Sequence, residues 1–312
     1  MKEKVSILLL ILVMLASFRF IFDYMLASSM PDGGKYFMSS EGDQLFYRKI
    51  FKHPAEAPTI LIIPGMGAHA FSSKKLIDNI ARKANIYVVE RHSYGFSRSS
   101  SKNPDLNRYS RSLEDFLKSE AVTKKINLIG LSLGSAYAIH FYRKHPDRIR
   151  SLAFVDCALP EHVSASDVYL NRVLYDWLRI LKRQRIKSYL SIPQLRATAL
   201  YTANRLTRQD LIELQSKHLG TTIMEGDMFW EILEQVDFYS DYEDLDFLVV
   251  STSNNEEIDW ELSDVTLKEH AKLAEASKKG LHKIFTSTSH HEILNDKDQK
   301  LSTLYLDFIA KN

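Results

Sequence analysis

The chain has 312 residues, which is enough for one large α/β domain with an insertion. Hydrophobic residues make up 45% of it and charged residues 26%, which excludes a disordered or low-complexity protein. The 41 Lys and Arg residues nearly balance the 39 Asp and Glu residues, so the charge gives no reason to expect nucleic acid as a partner. The single Cys157 excludes an internal disulfide. Since no Cys/His cluster has metal-ligand spacing, neither a metal site nor a cofactor is expected.

The first segment, residues 1–30, is strongly apolar. Lys2 and Lys4 precede an uncharged run over residues 5–18, and Arg19 follows that run. If Arg19 extends to the far interface, the segment is just long enough to cross a bilayer, which predicts a single-pass membrane anchor. The two lysines then favour a cytoplasmic amino terminus with the remaining chain outside the cytoplasm. A cleaved signal peptide, which would make the protein secreted, and an amphipathic helix packed on the domain are the alternatives.

From residue 31 the chain alternates between strand and helix patterns. The turn-rich sequence Pro31-Asp32-Gly33-Gly34 marks the start of the globular domain. Two short runs, at residues 35–38 and 44–49, predict an antiparallel hairpin. The apolar runs that follow are typical of strands buried on both faces, with helices between them. These predicted strands cover residues 59–63, 86–89, 126–129 and 149–155.

The alternation stops between residues 159 and 245, where only helical patterning is evident. Strand and helix patterns then return, with a predicted strand at residues 247–252. The sequence therefore predicts a core over residues 31–158, a helical insertion over 159–245, and the rest of the core over 246–312.

The motif Gly130-Leu131-Ser132-Leu133-Gly134 lies between a predicted strand and a predicted helix. Such a turn holds Ser132 at the carboxyl edge of the sheet, and the amide of Leu133 can face a developing oxyanion. In this context the motif resembles the nucleophile elbow of the α/β-hydrolase family. The resemblance implies a mostly parallel central sheet flanked by helices, an inserted helical cap, and a serine nucleophile.

Two further loops support the resemblance. Pro64-Gly65-Met66-Gly67 resembles the family's oxyanion loop, which implies that the amide of Met66 is the second oxyanion donor. The loop over residues 90–97 resembles the family's loop of an acidic residue, a basic residue and a Gly-x-Ser pair. His92 lies in this loop, and family position argues against its being the catalytic base.

A serine nucleophile needs a histidine base, which in this family follows the last strand. His290 and His291 are both in the right place. His291 opens a His-Glu-Ile-Leu-Asn-Asp run that resembles the run around the catalytic histidine of monoacylglycerol-lipase-like and lysophospholipase-like members, so it is preferred and His290 is the alternative. Other histidines, including His218 and His270, are expected to be solvated.

The carboxylate that orients the histidine is the least determined member of the triad. The usual family position, after the strand at 247–252, is occupied by Asn254 and Asn255, which carry no charge. Asp156 ends the strand beside the nucleophile strand, a place from which some family members supply the acid. Asp156 is therefore preferred, Glu256 is the alternative, and a Ser-His dyad stays open.

The resemblance thus predicts a serine hydrolase that cleaves carboxylic esters, with acyl or lipid-like substrates, through an acyl-enzyme. An aminopeptidase resembling proline iminopeptidases is an alternative within enzymes. A catalytically silent binding protein on the same scaffold is the alternative from another class.

Overall fold

The computed structural model of the protein describes residues 2–28, 33–101, 103–160, 169–189, 191, 194–195, 211, 215–253, 260–296 and 298–311. The strands are β1 (Gly34–Met38), β2 (Gln44–Ile50), β3 (Thr59–Ile63), β4 (Asn85–Val89), β5 (Ile126–Leu131), β6 (Ile149–Val155), β7 (Asp246–Thr252) and β8 (Gly280–Phe285). The helices are α1 (Lys2–Ser28), α2 (Lys74–Ile80), α3 (Leu106–Ser119), α4 (Gly134–Lys144), α5 (Tyr169–Tyr189), α6 (Ser216–Asp227), α7 (Phe229–Glu234), α8 (Trp260–Glu275), α9 (His290–Asn295) and α10 (Lys300–Lys311).

The eight strands form one sheet in the order β1-β2-β4-β3-β5-β6-β7-β8. β2 pairs antiparallel with β1 and β4, and all other pairs are parallel. The α/β class and the mostly parallel sheet expected from the sequence are confirmed. Because β3 and β5 to β8 run in the same direction, the residues that follow them lie along one edge of the sheet, where α/β proteins bind their ligands.

Helices cover both faces of the sheet, and the period of two along each strand divides the core between them. In β3, Leu61 and Ile63 pack into the cluster under α3 and α4. Ile60 and Ile62 point the other way, into the cluster under α2 and α10. Burial on both faces explains why the central strands are apolar runs rather than alternating patterns.

Helix α3 begins at Leu106. Its amino terminus is set by Asp105, whose carboxylate accepts a hydrogen bond of 2.9 Å from the Arg108 backbone N–H. Asp is a favoured residue at this position because it satisfies an N–H that has no partner within the helix.

Between β6 and β7 the described residues form α5, α6 and α7, the elements of the predicted cap. α5 packs against α6, and α1 lies beside α5. The Ser191 hydroxyl, just after α5, donates a hydrogen bond to the Leu15 carbonyl of α1. The limits of the cap at residues 159 and 245 stay a prediction.

The amino-terminal segment is the helix α1. None of the helices in the described part of the chain combines the length and hydropathy that crossing a bilayer requires. The expectation of a membrane-spanning anchor over residues 1–30 therefore gains no support from the structure.

Candidate active site

Ser132 lies on a sharp turn between the end of β5 and the start of α4. Its φ angle of 50° falls in the left-handed region, which is strained for a residue with a side chain. Its N–H donates a hydrogen bond of 2.9 Å to the Val155 carbonyl of the neighbouring strand β6. The strained residue is thus held by the sheet, with its side chain half-buried at the carboxyl edge.

Two glycines make this turn possible because other parts of the backbone occupy the space of their missing side chains. A Cβ atom on Gly130 would lie 2.4 Å from the Cα of Ser135. A Cβ atom on Gly134 would lie 2.4 Å from the Ile63 carbonyl oxygen. Any larger residue at either position would push α4 away from the strands and displace Ser132.

The loop after β3 packs directly against Ser132. A Cβ atom on Gly65 would lie 3.0 Å from the Ser132 Cβ. Within the described part of the chain, neither the Met66 N–H nor the Leu133 N–H donates a hydrogen bond. Leu133 is the residue before α4, where helical amides lack acceptors. The structure thus brings Gly65, the residue before Met66, against Ser132. The role of the Met66 and Leu133 N–H groups in binding an oxyanion stays a prediction.

Asp156 follows β6 as Ser132 follows β5, and it contacts a histidine. Its Oδ2 lies 2.7 Å from Nδ1 of His290. The same carboxylate accepts hydrogen bonds from the Thr252 N–H at 3.1 Å and the Thr252 hydroxyl at 3.0 Å. The Asp156 side chain is nearly buried, whereas 33% of the His290 side chain is exposed. The pair therefore presents one edge of the imidazole to the surface and holds the other on a fixed carboxylate.

The environment of Asp156 favours its charged form. Burial by itself raises the pKa of this carboxyl, but the hydrogen bond from His290, the nearby imidazole charges and the Thr252 N–H together outweigh it, so the pKa lies below its usual value. At neutral pH Asp156 is a carboxylate, which favours a proton on the ring nitrogen that faces it, Nδ1 of His290.

His290 and His291 begin the helix α9, and their positions explain why only one of them meets Asp156. Consecutive helical residues point about 100° apart. His290 contacts Asp156, and His291 is exposed. This geometry favours His290, the reverse of the order expected from the sequence.

A capping box fixes the start of α9, since the Ser289 side chain accepts a hydrogen bond from the Glu292 N–H and the Glu292 side chain accepts one from the Ser289 N–H. The Ser-x-x-Glu spacing was visible in the sequence and marks His290 as the first helical residue. It does not by itself say which histidine faces the strand ends.

The alternative acid, Glu256, lies outside the described residues, as do Asn254 and Asn255. Asp156 is therefore the carboxylate for which a direct contact with a histidine can be described.

His92 is buried, with Nε2 at 3.2 Å from both the Ser112 hydroxyl and the Asp43 carboxylate. Burial lowers its pKa to about 4, although Asp43 acts in the opposite direction. The ring is therefore neutral near pH 7. These contacts agree with a structural role for the loop that contains it.

The expectation that His218 and His270 are solvated is wrong, since both are buried. His218 lies on the cap helix α6, where its Nδ1 accepts the Gly95 N–H at 3.2 Å and its Nε2 is 3.0 Å from the Gly67 carbonyl. His270 lies on α8, with Nε2 at 2.8 Å from the Cys157 carbonyl. The helical patterns that contain them do not indicate which face each residue occupies. Both imidazoles satisfy backbone groups of loops near the site.

The comparisons with known proteins agree with this fold. The family model described as the alpha/beta hydrolase fold matches residues 58–263, more than half of the chain. The chain therefore belongs to the α/β-hydrolase family.

Solved structures resemble the chain at low sequence identity. A thermophilic esterase from Thermogutta terrifontis matches with a TM-score of 0.62 and 14% identity, over 89% of this chain and 98% of that chain. An epoxide hydrolase from Acinetobacter nosocomialis matches with a TM-score of 0.64 and 14% identity, over 94% of this chain and 96% of that chain. A membrane phospholipase A, described as a bacterial virulence factor, matches with a TM-score of 0.58 and 16% identity, over 100% of this chain and 99% of that chain. At these identities the likeness shows the fold alone.

The depressed pKa of Asp156 predicts a specific acid dependence of stability. A carboxylate with a lowered folded-state pKa stabilises the fold above its usual value of 3.8, and this contribution is lost as the pH falls from 3.8 through the folded-state pKa. The free energy of unfolding, measured by urea denaturation between pH 3 and pH 7, should therefore fall less steeply with acid in Asp156→Asn than in the wild type. If the free energy of unfolding falls equally steeply with acid in both proteins, Asp156 is not the stabilising carboxylate. Asp147→Asn, a change outside these contacts, is the control and should behave as the wild type.

Proposed function

We propose that the protein is a serine hydrolase that cleaves carboxylic esters through an acyl-enzyme, with Ser132, His290 and Asp156 as the catalytic residues. The observation that carries the proposal is the 2.7 Å contact between His290 and Asp156, at the same sheet edge as the strained turn of Ser132. A carboxylate paired with an imidazole beside an elbow serine is the arrangement that activates a hydroxyl for attack.

In this proposal the Ser132 hydroxyl attacks the ester carbonyl while Nε2 of His290 takes its proton. Asp156 holds the imidazole in the tautomer with a proton on Nδ1 and stabilises the imidazolium that forms. The N–H groups of Met66 and Leu133 bind the carbonyl oxygen as it gains negative charge. His290 then gives the proton to the leaving alcohol, and water hydrolyses the acyl-enzyme by the reverse sequence of proton transfers.

The side chains above the oxyanion loop support an acyl or lipid-like substrate. A Cβ atom on Gly67 would lie 3.4 Å from the Thr222 methyl group and 3.8 Å from the Trp177 ring, both of which belong to the cap. Their apolar surfaces suit an acyl chain better than a charged group. The esterase and the phospholipase among the structural neighbours agree with this substrate class.

Other chemistries of the family are less well supported. One structural neighbour is an epoxide hydrolase, but a serine in place of an aspartate nucleophile argues against that reaction here. An aminopeptidase would require a substrate with a free amino terminus, which a substrate panel distinguishes from a simple ester.

The nucleophile is tested by labelling with a fluorophosphonate probe and by hydrolysis of short p-nitrophenyl esters. The wild type should react with the probe, and Ser132→Ala should lose both labelling and many orders of magnitude of turnover. Ser135→Ala, a change of the buried serine on α4, is the matched control. A folded wild type that neither labels nor hydrolyses esters or amino-terminal amides would favour a silent binding protein, and turnover above about a tenth of wild type in Ser132→Ala would reject this nucleophile.

The base is tested by comparing two adjacent substitutions. His290→Ala should lower kcat at least about a thousand-fold because the proton acceptor is lost, whereas His291→Ala should stay within about threefold of wild type. Both residues start the same helix, so each variant is the control for the other. A crippled His291→Ala with a nearly normal His290→Ala would restore the assignment that the sequence favours.

We also propose that α1 attaches the protein to a membrane. Eleven large apolar side chains of α1 are exposed, on all sides of the helix rather than on one face: Ile7, Leu9, Leu10, Ile11, Leu12, Val13, Met14, Phe20, Ile21, Tyr24 and Met25. Exposed apolar surface of this extent favours contact with lipid. The match to a membrane phospholipase A over the whole chain, α1 included, agrees with this proposal. The side of the membrane on which the domain lies stays a prediction from Lys2 and Lys4.

Attachment is tested by cell fractionation and by flotation with phospholipid vesicles. The full-length chain should move with the membranes, and a chain that starts at Gly33 should stay in the soluble fraction and keep its esterase activity. The double substitution Leu10→Asp and Val13→Asp, at two exposed positions, should shift the full-length protein toward the soluble fraction. Recovery of the uncleaved wild type in the soluble fraction would reject the proposal.

A further inference from the structure

A carboxylate from the cap lies deep in the core beside the oxyanion loop. Glu225 is on α6, and it is 1% exposed. It accepts hydrogen bonds from Arg91 at both carboxylate oxygens, from Nε at 3.0 Å and from Nη2 at 2.7 Å. It also accepts hydrogen bonds from the hydroxyls of Tyr94 and Tyr137. Glu225 therefore joins the cap to the loop after β4 and to the helix that follows Ser132.

Arg91 connects this carboxylate to the oxyanion loop. Its Nη2 donates to the Gly65 carbonyl at 3.0 Å, and its Nη1 donates to the Pro64 carbonyl. The guanidinium lies over the Tyr94 ring, 4.5 Å from the centroid, and the Tyr94 hydroxyl accepts the Gly67 N–H at 3.4 Å. The residues on both sides of Met66 are thus bound by partners of Glu225.

The bond to the Gly65 carbonyl has a direct consequence for Met66. The Gly65 C=O and the Met66 N–H belong to the same peptide unit, which is planar and trans, so they point in opposite directions. A guanidinium that fixes the carbonyl on one side of the loop therefore fixes the direction of the N–H on the other. The positive charge at the carbonyl end also polarises the peptide unit and makes its N–H a better donor to an anion.

Burial of the Arg91–Glu225 ion pair carries a desolvation cost in free energy. Arg91 is 3% exposed, and burial by itself lowers its pKa, but the neighbouring Glu225 outweighs burial and raises the pKa above its usual value. The guanidinium is therefore always charged. Buried ion pairs are often no more stabilising than apolar residues of similar volume, so packing alone does not account for one here.

We propose that Arg91 and Glu225 are positioning residues for the oxyanion hole. Arg91 aims the Met66 N–H at the site of the developing negative charge, and Glu225 holds Arg91 in place. The oxyanion hole is then complete only while α6 of the cap is docked on the core. This inference rests on the proposed serine hydrolase function.

The decisive variant is the double substitution Arg91→Met and Glu225→Gln. Removal of both charges leaves no unpaired buried ion, so the fold should be kept, but the Gly65 carbonyl loses its fixed donor. We expect kcat for p-nitrophenyl esters to fall about a hundred-fold, with KM within about threefold of wild type, because a misdirected oxyanion donor weakens binding of the transition state and not of the ester. Affinity for a trifluoromethyl ketone, which forms an oxyanion adduct on the serine, should fall in parallel with kcat/KM.

Two further variants separate positioning from general stability. Lys217→Met removes another bond from α6 to the core, the 2.7 Å hydrogen bond from Nζ to the Ser97 carbonyl, which lies outside the oxyanion loop. Its kcat should equal that of wild type. Arg91→Lys keeps the positive charge, but an ammonium group lacks the planar guanidinium that binds two carbonyls and a carboxylate at once. This variant should fold, and its kcat should fall at least about tenfold. Arg91→Lys decides the question if the double variant does not fold.

The possible outcomes separate this inference from the proposed function. Suppose that the wild type turns over esters and reacts with the probe. A normal kcat in the folded double variant, or in Arg91→Lys, would then overturn the positioning role and leave the proposed function intact. An equal loss of kcat in Lys217→Met would also overturn it, since any weakening of the cap would then have the same effect. A folded wild type without turnover or labelling would overturn the proposed function and this inference together.

Discussion

The turn between β5 and α4 leaves no room for side chains, and the geometry of the site depends on this constraint. The space beside Gly130 is occupied by the start of α4, and the space beside Gly134 by the backbone at the end of β3. Close packing of strand, helix and loop fixes Ser132 in its strained conformation and brings Gly65 against it. The loop that carries Met66 is thereby placed by the same contacts that expose the serine.

Two buried carboxylates then organise the polar groups around this turn. Asp156 is held by the backbone and hydroxyl of Thr252 and binds His290, so the orientation of the imidazole is set by the neighbouring strand β7. Glu225 is held by Arg91 and two tyrosines, and Arg91 in turn binds the Pro64 and Gly65 carbonyls of the loop after β3. Each carboxylate lies where water is largely absent, so its hydrogen bonds are strong and an unpaired partner would be costly.

The cap also supplies polar side chains that bind the loops of the site. Through α6 it supplies Glu225, and it also supplies His218, whose ring bridges the Gly95 N–H and the Gly67 carbonyl. Burial lowers the pKa of His218 to about 3, so the ring stays neutral and can accept one backbone hydrogen bond while donating another. The loops that form the site therefore contact the cap on one side and continue from the strands of the sheet on the other. His218 contacts these loops through their backbone, whereas Glu225 reaches the Pro64 and Gly65 carbonyls through Arg91.

The sequence by itself determined the features that depend on neighbouring residues. The apolar runs predicted the strands of the core, and Gly-x-Ser-x-Gly between a strand and a helix predicted the turn of Ser132. The family resemblance added the oxyanion loop and the place of the histidine after the last strand. These features are local because a turn or a strand is specified by its own side chains and by the steric limits of its own backbone.

Only the tertiary structure decided which side chains meet. His290 and His291 are neighbours in the chain, but the rotation of about 100° per helical residue lets only one contact Asp156, which lies 134 positions away in sequence. Arg91 and Glu225 are also 134 positions apart in sequence. No local pattern distinguishes Glu225 from glutamates that are exposed to solvent. Burial of a charged residue depends on what packs over it, and that is set by the docking of the cap rather than by the helix that carries the residue.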